Sequence, residues 1–165
     1  MANDVNGAKP SPTEIVKETS RYLRGDIGPE LARDTDHFSE FDKNLTKFHG
    51  FYQQDDRDAR KNRKAGASGK SYIFMVRCKI PGGKVTAEQY LAVDGLCEKY
   101  GNGSLRVTSR QGFQFHGVRK GSLKGLIGNI NKTLLTTLGA CGDVNRNVMA
   151  VTAPFASPIY QELQR

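Results

Sequence analysis

Apolar and polar side chains alternate along two short segments near the middle of the chain. In RVTSRQGFQFHG, from Arg106 to Gly117, cationic and hydrogen-bonding side chains take even-numbered positions and apolar ones take odd-numbered positions. Because strand side chains point alternately to the two faces of a sheet, the pattern predicts strands at 104–108 and 112–117, with a tight turn at 109–111. The even-numbered set is Arg106, Thr108, Arg110, Gln114 and His116.

Strand-like and helical patterns flank these two segments. SYIFMVRCKI begins at Ser71, is strand-like in composition, and is stopped by PGG at 81–83. The capping-box spacing of Thr86 and Gln89 predicts the start of a helix, and an apolar stripe predicts a second helix from about Ser122. The order β-α-β-β-α is most of a ferredoxin-like split βαβ sandwich, so the predicted fold class is α+β.

The helices of such a unit cover one sheet face and leave the other free. The odd-numbered apolar residues are expected on the helix side, namely Leu105, Val107, Phe113 and Phe115. The even-numbered set is expected on the free face. Arg77 is expected to join it, although apolar Ile73 and Met75 share its parity and leave that placement open. The last strand of a complete unit is not evident after Leu138.

The predicted unit covers residues 71–138, and three further segments make up the rest of the chain. Residues 1–20 are expected to be a disordered lead, because Pro10, Ser11 and Pro12 would break a regular element. Residues 21–70 are expected to form an extended arm with little core of its own and a basic linker, which is either solvated or a binding strip. Residues 139–165 are the remainder, and within them 151–165 have the pattern of the start of a helix that belongs to something missing.

The net charge of +8 lies mainly in the second half of the chain. From residue 101 onward there are eight Lys and Arg, and Asp143 and Glu162 are the acids, so this part carries +6. Arginines that share a sheet face without nearby carboxylates repel one another, which favours an anionic ligand for that face. Nucleic acid or a small molecule rich in carboxylate or phosphate would fit, and an ordinary solvated sheet face is the alternative.

Several classes of protein are disfavoured by the same sequence. The absence of a long apolar run and of a signal-peptide core predicts a cytoplasmic protein that does not bind a membrane. Cys78, Cys97 and Cys141 are odd in number and form no CxxC pair, so no disulfide scaffold and no metal site are predicted. An RNA-recognition sheet needs aromatic side chains on its open face, whereas Phe113 and Phe115 have the opposite parity, so no nucleic-acid partner is predicted.

Two longer stretches carry a resemblance to a known family. RVTSRQGFQFHG, together with TLGACGDVNRNVMA at 137–150, resembles the N-terminal part of the sulfite and nitrite reductase hemoproteins, which contain siroheme and a 4Fe-4S cluster. RYLRGDIGPEL and KFHGFYQQDDRDAR resemble the arm of the assimilatory sulfite reductase branch. The resemblance runs from about Arg21 to Pro154. It implies that residues 71–138 are the family's ferredoxin-like half-domain and that residues 139–165 begin its siroheme-binding domain.

The resemblance implies roles for particular residues. Arg77 and Arg146 would hold the sulfite anion and supply positive charge during its six-electron reduction to sulfide. Siroheme, with its many acetate and propionate groups, would contact the even-numbered set on the sheet. Asn145 and Asn147 are interpreted as cofactor-positioning residues, with turn capping as an equal alternative. Nitrite is the nearest alternative substrate.

The chain ends at Arg165, before the family's two sulfite-site lysines and its four-cysteine region. We therefore expect a truncated frame, one part of a split enzyme, or an excised piece, which would contact siroheme but lack the cluster ligands and be inactive alone. Either ferredoxin or a flavoprotein would be the electron donor, and the resemblance favours ferredoxin. A second chain that completes the enzyme is a further expected partner, and a non-catalytic structural or RNA-binding ferredoxin-like domain is the remaining alternative.

Overall fold

The computed structural model of the chain describes residues 9–61, 69–142, 144–151, 155 and 157–163. Its helices are α1 Pro12–Thr19, α2 Ile27–Leu31, α3 Glu40–Thr46, α4 Arg57–Lys61, α5 Ala87–Tyr100, α6 Leu123–Lys132 and α7 Pro158–Leu163. Its strands are β1 Phe51–Asp55, β2 Tyr72–Cys78, β3 Arg106–Val107 and β4 Phe113–Val118. Short 3₁₀ turns lie at Lys47–His49, Pro81–Gly83 and Lys120–Ser122.

The four strands form one antiparallel sheet in the order β1-β2-β4-β3. From β2 to α6 the elements follow the predicted order β-α-β-β-α, and the α+β, ferredoxin-like fold is confirmed. The predicted capping box is present at the start of α5, where Thr86 and Gln89 satisfy each other's backbone N–H groups. α5 and α6 pack on one sheet face and bury a core whose fully buried members include Phe74, Val76, Phe115, Val93 and Leu126.

The edge of the sheet beside β2 is filled by the arm. β1 pairs with β2 from Phe51 opposite Val76 to Asp55 opposite Tyr72. In a complete split βαβ unit a strand following the second helix would be expected, and here that part of the chain contributes a single bridge, from Thr136 to Lys79. The sheet position next to β2, which a strand after Leu138 would take in a complete unit, is thus occupied by β1, which precedes the unit in the chain.

The arm contributes apolar anchors to the main core. Phe38, Leu45, Phe48 and Phe51 are buried in the same cluster as the sheet residues. The rings of Phe38 and Phe74 lie 5.6 Å apart in an edge-to-face arrangement. A few widely spaced anchors are sufficient because each aromatic side chain buries a large apolar area.

Residues 12–19 form a helix within the segment that was predicted to be a disordered lead. Ser11 caps this helix by accepting a hydrogen bond at its Oγ from Glu14 N, at 3.3 Å. Pro12 stands in the first turn, where its missing N–H has no intrahelical partner to lose. The Ser-Pro pair therefore starts a helix instead of breaking one. Residues 1–8 lie outside the described part of the chain.

No helix in the described ranges is both long enough and apolar enough to cross a membrane.

Gly50 joins the arm to two other parts of the fold. Its carbonyl accepts a hydrogen bond from Arg77 N at 2.7 Å, next to the β1–β2 pairing. Its φ is +86°, and a Cβ at this position would lie 2.0 Å from the carbonyl oxygen of Thr137. The backbone after α6 can approach the arm this closely because position 50 carries no side chain.

We expect Gly50→Ala to lower the free energy of unfolding by about 2–4 kcal/mol, because a Cβ would meet backbone and the left-handed φ strains alanine. Urea denaturation followed by circular dichroism measures this. Gly95→Ala is the matched control: Gly95 lies inside α5, and no atom comes within 4 Å of the place that an alanine Cβ would take. There alanine should raise stability by about 0.5–1 kcal/mol. Equal effects of the two substitutions would contradict the close approach at Gly50.

Candidate functional site

A row of polar side chains crosses three strands on the sheet face away from α5 and α6. Gln114 of β4 lies opposite Arg106 of β3 on one side and opposite Arg77 of β2 on the other. Cross-strand partners share a face, so these three side chains lie together. The adjacent row contains Cys78 and Phe113, which are buried in the core under the helices. The predicted alternation is therefore confirmed, including the placement of Arg77.

Val107 belongs to the helix-side row but is 73% exposed. Its strand has two residues and lies at the sheet edge, so the helices do not reach over it. The expectation that all four odd-numbered apolar residues are covered by helices thus holds for Phe113 and Phe115, and for Leu105, which is half-buried against the core. It fails for Val107.

The amide of Gln114 lies between the guanidinium of Arg77 and the imidazole of His116. In the amide orientation that satisfies both neighbours, Oε1 accepts hydrogen bonds from Arg77 Nη2 at 2.6 Å and Arg77 Nε at 3.1 Å. The other atom of the amide lies 3.4 Å from His116 Nε2. The guanidinium of Arg77 is therefore fixed by a neutral amide, which leaves its charge uncompensated.

The surroundings of the His116 imidazole disfavour its charged form. Burial lowers its pKa below the ordinary value of 6.5, and the positive charges of Arg106 and Arg77 lower the pKa further. A neutral imidazole can accept a hydrogen bond at Nε2, which is the partner that the amide NH₂ of Gln114 requires.

A small pocket of about 150 Å³ opens beside this row, between the end of β2, the β3–β4 turn and residues 140, 146 and 147. Its described lining includes four cationic residues, and none of its lining residues is Asp or Glu; the cations are Arg77, Lys79, Arg110 and Arg146. Thr108, Ser109 and Asn147 contribute polar groups. Such a site attracts small anions, because nearby positive charges repel one another until a ligand neutralises them.

Thr108 shapes the turn that presents Arg110. Its Oγ1 accepts hydrogen bonds from Gly112 N at 3.0 Å and from Arg110 N at 3.3 Å. The predicted tight turn is thus confirmed, and its tip is cationic. The hydroxyl hydrogen of Thr108 remains available to a ligand, since both of these bonds use oxygen lone pairs.

Asn147 is buried and binds backbone groups only. Its Nδ2 donates to the carbonyls of Ile80 and Arg110, each at 2.7 Å, and its Oδ1 accepts from Ile80 N at 2.9 Å. Both amide hydrogens are therefore used within the protein, which makes Asn147 a positioning residue for the segment 144–151. Asn145 is exposed, and its carbonyl accepts a hydrogen bond from Lys79 Nζ at 3.2 Å.

The structure adds two residues that the sequence analysis missed. Lys79 lines the pocket and has the same parity as Arg77, so the alternation along β2 was a sufficient signal for it. Tyr52 lies on β1 opposite Met75, and its hydroxyl is close enough to the thiol of Cys141 for each group to affect the other's pKa. The segment after α6 therefore covers part of the face that was expected to be free. Tyr52 was missed because the arm had not been recognised as a strand.

The three cysteines are free and buried. Burial raises the pKa of the Cys78 thiol to about 12, and burial is also the largest cause of the raised pKa of Cys97 and of Cys141. Within the described ranges, no three His, Cys, Asp or Glu side chains converge to hold a metal ion.

Comparison with known proteins gives a consistent picture. Residues 67–132 match the family model of the nitrite/sulfite reductase ferredoxin-like half domain. The chain is 47% identical over 161 residues to the sulfite reductase (NADPH) hemoprotein beta-component of Chromohalobacter salexigens, covering 97% of this chain and 28% of that protein. It is 49% identical over 155 residues to the same component of Anoxybacillus flavithermus, covering 93% of this chain and 27% of the relative.

A yeast protein and a solved structure extend the comparison. The sulfite reductase (NADPH) subunit beta of Schizosaccharomyces pombe is 47% identical over 161 residues, or 97% of this chain and 11% of that protein. The structure of the Mycobacterium tuberculosis NirA protein superposes with a TM-score of 0.75 at 18% identity, covering 91% of this chain and 29% of the other. At that identity the structural match shows a shared fold. The chain thus spans less than a third of the length of each of these relatives.

The preference for a ferredoxin-dependent branch is not supported. The bacterial relatives and the yeast relative are all named as NADPH enzymes. That preference rested on two motifs, SYIFMVRCKIPGGKV and TLGACGDVNRNVMA. The first contains a core strand and the second contains pocket-lining residues, and neither feature depends on which electron donor is used.

We expect His116 to titrate below 6.5 in the folded chain, and Arg106→Gln to raise its pKa while leaving it below 6.5, since burial is the larger cause. NMR titration of the imidazole Cε1–H measures both values. Because the folded pKa is depressed, the contribution of His116 to stability is present above about pH 6.5 and is lost as the pH falls through the folded pKa. Arg119→Gln, an exposed charge-matched change, is the control. An equal shift in both variants would contradict the proximity of Arg106.

We expect none of the three thiols to react rapidly with a disulfide reagent at pH 8 in the folded chain, because the reactive thiolate is disfavoured by burial. All three should react in denaturant. Absorbance of the released thiolate dye counts them, and fast modification of any thiol without denaturant would show that its burial is incomplete in solution.

Proposed function

We propose that the chain belongs to the sulfite and nitrite reductase hemoprotein family and that it is the part of a sulfite reductase that holds the anionic groups of the reaction. These groups are the sulfite ion and the carboxylates of siroheme. The observation that carries the proposal is the pocket lined by Arg77, Lys79, Arg110 and Arg146 without a carboxylate among its described lining. A structural role alone gives no reason to gather four cations around one opening.

The arrangement fits siroheme as a ligand. Arg106 and Arg110 are exposed on β3 and on the turn that follows, where they would meet carboxylates at the rim of a flat macrocycle. Thr108, Gln114 and His116 would add hydrogen bonds from the same face. Guanidinium groups suit this task because they bind carboxylates through two parallel hydrogen bonds. When bound, siroheme would supply the electron-transfer chemistry of the reaction.

Arg77 and Arg146 would hold the substrate anion. The bonds from Arg77 to Gln114 fix the direction of its guanidinium, so it needs little reorganisation when an oxyanion arrives. As oxygen leaves sulfur, positive charge aimed at the departing oxygen lowers the energy of the transition state more than that of the bound sulfite. Lys79 adds charge beside them, while its ammonium donates to Asn145 O.

The wider activity is also a proposal, because the chain spans 28% of its relative from Chromohalobacter salexigens. We propose reduction of sulfite to sulfide in a complex in which an NADPH-linked flavoprotein is the electron donor, in keeping with the names of the relatives. Nitrite is the second candidate substrate, since the matching family model covers nitrite and sulfite reductases. Both are small oxyanions, and the charges of the pocket do not distinguish them.

The proposal is tested by titrating the purified chain with siroheme and following the Soret absorbance. We expect saturable binding that weakens at least tenfold, or roughly 1.4 kcal/mol, in Arg110→Gln/Arg146→Gln, since each lost charge-assisted hydrogen bond is worth about 1.5–3 kcal/mol. The charge-matched control is Arg57→Gln/Arg119→Gln, which removes two exposed arginines outside the pocket lining. Equal weakening in both double variants would reduce the effect to net charge and contradict the site. Competition by sulfite and by nitrite, measured in the same way, ranks the two substrates.

A further inference from the structure

Gln111 forms a two-sided hydrogen-bonded clasp with the segment 144–151. Its Nε2 donates to Ala150 O at 2.8 Å, and its Oε1 accepts from Ala150 N at 2.9 Å. The side chain thereby satisfies both backbone groups of Ala150, as a neighbouring strand would do in a sheet. Gln111 sits next to Arg110 in the β3–β4 turn, with a left-handed φ of +59°.

The PGG turn after β2 is shaped to accommodate this clasp. A Cβ at Gly83 would lie 3.0 Å from both Cδ and Oε1 of Gln111, so the glutamine fits because position 83 is glycine. The neighbouring Gly82 donates from its N–H to Val148 O at 2.8 Å. Three parts of the chain, at 81–83, 108–112 and 147–150, therefore meet through Gln111.

The clasp connects the two sides of the cationic pocket. Arg110 belongs to the turn that carries Gln111, and Arg146 lies in the segment that carries Ala150. Asn147 makes a second connection in the same place by donating to Arg110 O at 2.7 Å. Two like charges at one opening favour its widening, and these neutral amides oppose that without neutralising either arginine.

We propose that Gln111 is a positioning residue that sets the distance between Arg110 and Arg146, and so determines how tightly the pocket holds an anion. This inference rests on the proposed function for its consequence in binding. Its geometric part concerns this chain alone and can be tested separately.

Gln111→Asn is the test variant, because asparagine tolerates a left-handed φ and its side chain is one methylene too short to reach both atoms of Ala150. Gln89→Asn is the matched control. Gln89 makes the same kind of clasp away from the pocket, accepting from Thr86 N at 3.1 Å and donating to Thr133 O at 2.9 Å. Both variants lose two amide-to-backbone bonds, so a general loss of stability affects both.

Siroheme titration by Soret absorbance is the first measurement. We expect the dissociation constant to rise about tenfold in Gln111→Asn and less than about twofold in Gln89→Asn, given that a typical net hydrogen bond changes an equilibrium by up to about tenfold. If the wild-type chain binds and Gln111→Asn binds as tightly as Gln89→Asn, the inference is overturned and the proposed function stands.

NMR of the free chain is the second measurement, and it tests the geometric part of the inference without siroheme. If the wild-type chain binds no siroheme, the proposed function is contradicted, but the geometric part can still be decided. In Gln111→Asn we expect faster hydrogen exchange at Ala150 N–H and displaced Nε–Hε signals of Arg110 and Arg146. Neither change is expected in Gln89→Asn. Unaltered exchange and unaltered arginine signals in Gln111→Asn would overturn the inference. Gln111→Met, which is uncharged, keeps the length of the side chain and offers no hydrogen bond to Ala150, serves in its place should the asparagine variant not fold.

Discussion

Antiparallel pairing between β1 and β2 is the interaction on which the rest of the structure depends. It makes β2 an interior strand, hydrogen-bonded on both sides, and so removes an exposed edge from the middle of the protein. It brings Phe51 and Phe38 of the arm against Phe74 in the core. Beside this pairing, Arg77 N donates a hydrogen bond to Gly50 O. The arm therefore helps to position Arg77 in the row of polar side chains, although it supplies none of the charges of that row.

The cations of the site are positioned by side-chain amides. Gln114 orients the guanidinium of Arg77. Asn147 binds the backbone of the turn that carries Arg110. Gln111 binds the segment that carries Arg146. Carboxylates would form stronger bonds to the arginines and would also neutralise the charge that attracts a ligand. Amides fix geometry and leave the electrostatic potential of the pocket intact. The packing of the fold offsets the remaining repulsion until an anion binds.

The sequence was a good guide wherever the signal was local. Alternation placed Arg106, Gln114 and Phe115 on the correct faces, and capping-box spacing located the start of α5. Parity would also have located Lys79. The arm strand was missed because FYQQD has mostly polar residues and its partner lies 17 residues or more along the chain, so no local pattern reveals it. The clasp of Gln111 with Ala150 spans 39 residues and depends on three separate parts of the chain meeting, which spacing alone does not encode.

The order of the strands along the chain has a consequence for synthesis. β1 and β2 are close in sequence and can pair as soon as both have left the ribosome, whereas the partner of Phe74 in β4 is Val118, 44 residues later. During that interval the helix-facing side of the hairpin, with Phe74 and Val76, is only partly covered, because the arm and α5 precede β4 in the chain whereas α6 follows it. At that stage the nascent β1–β2 hairpin exposes apolar side chains and an unpaired edge of β2, both of which favour aggregation. This is the stage of synthesis at which a chaperone would be most useful.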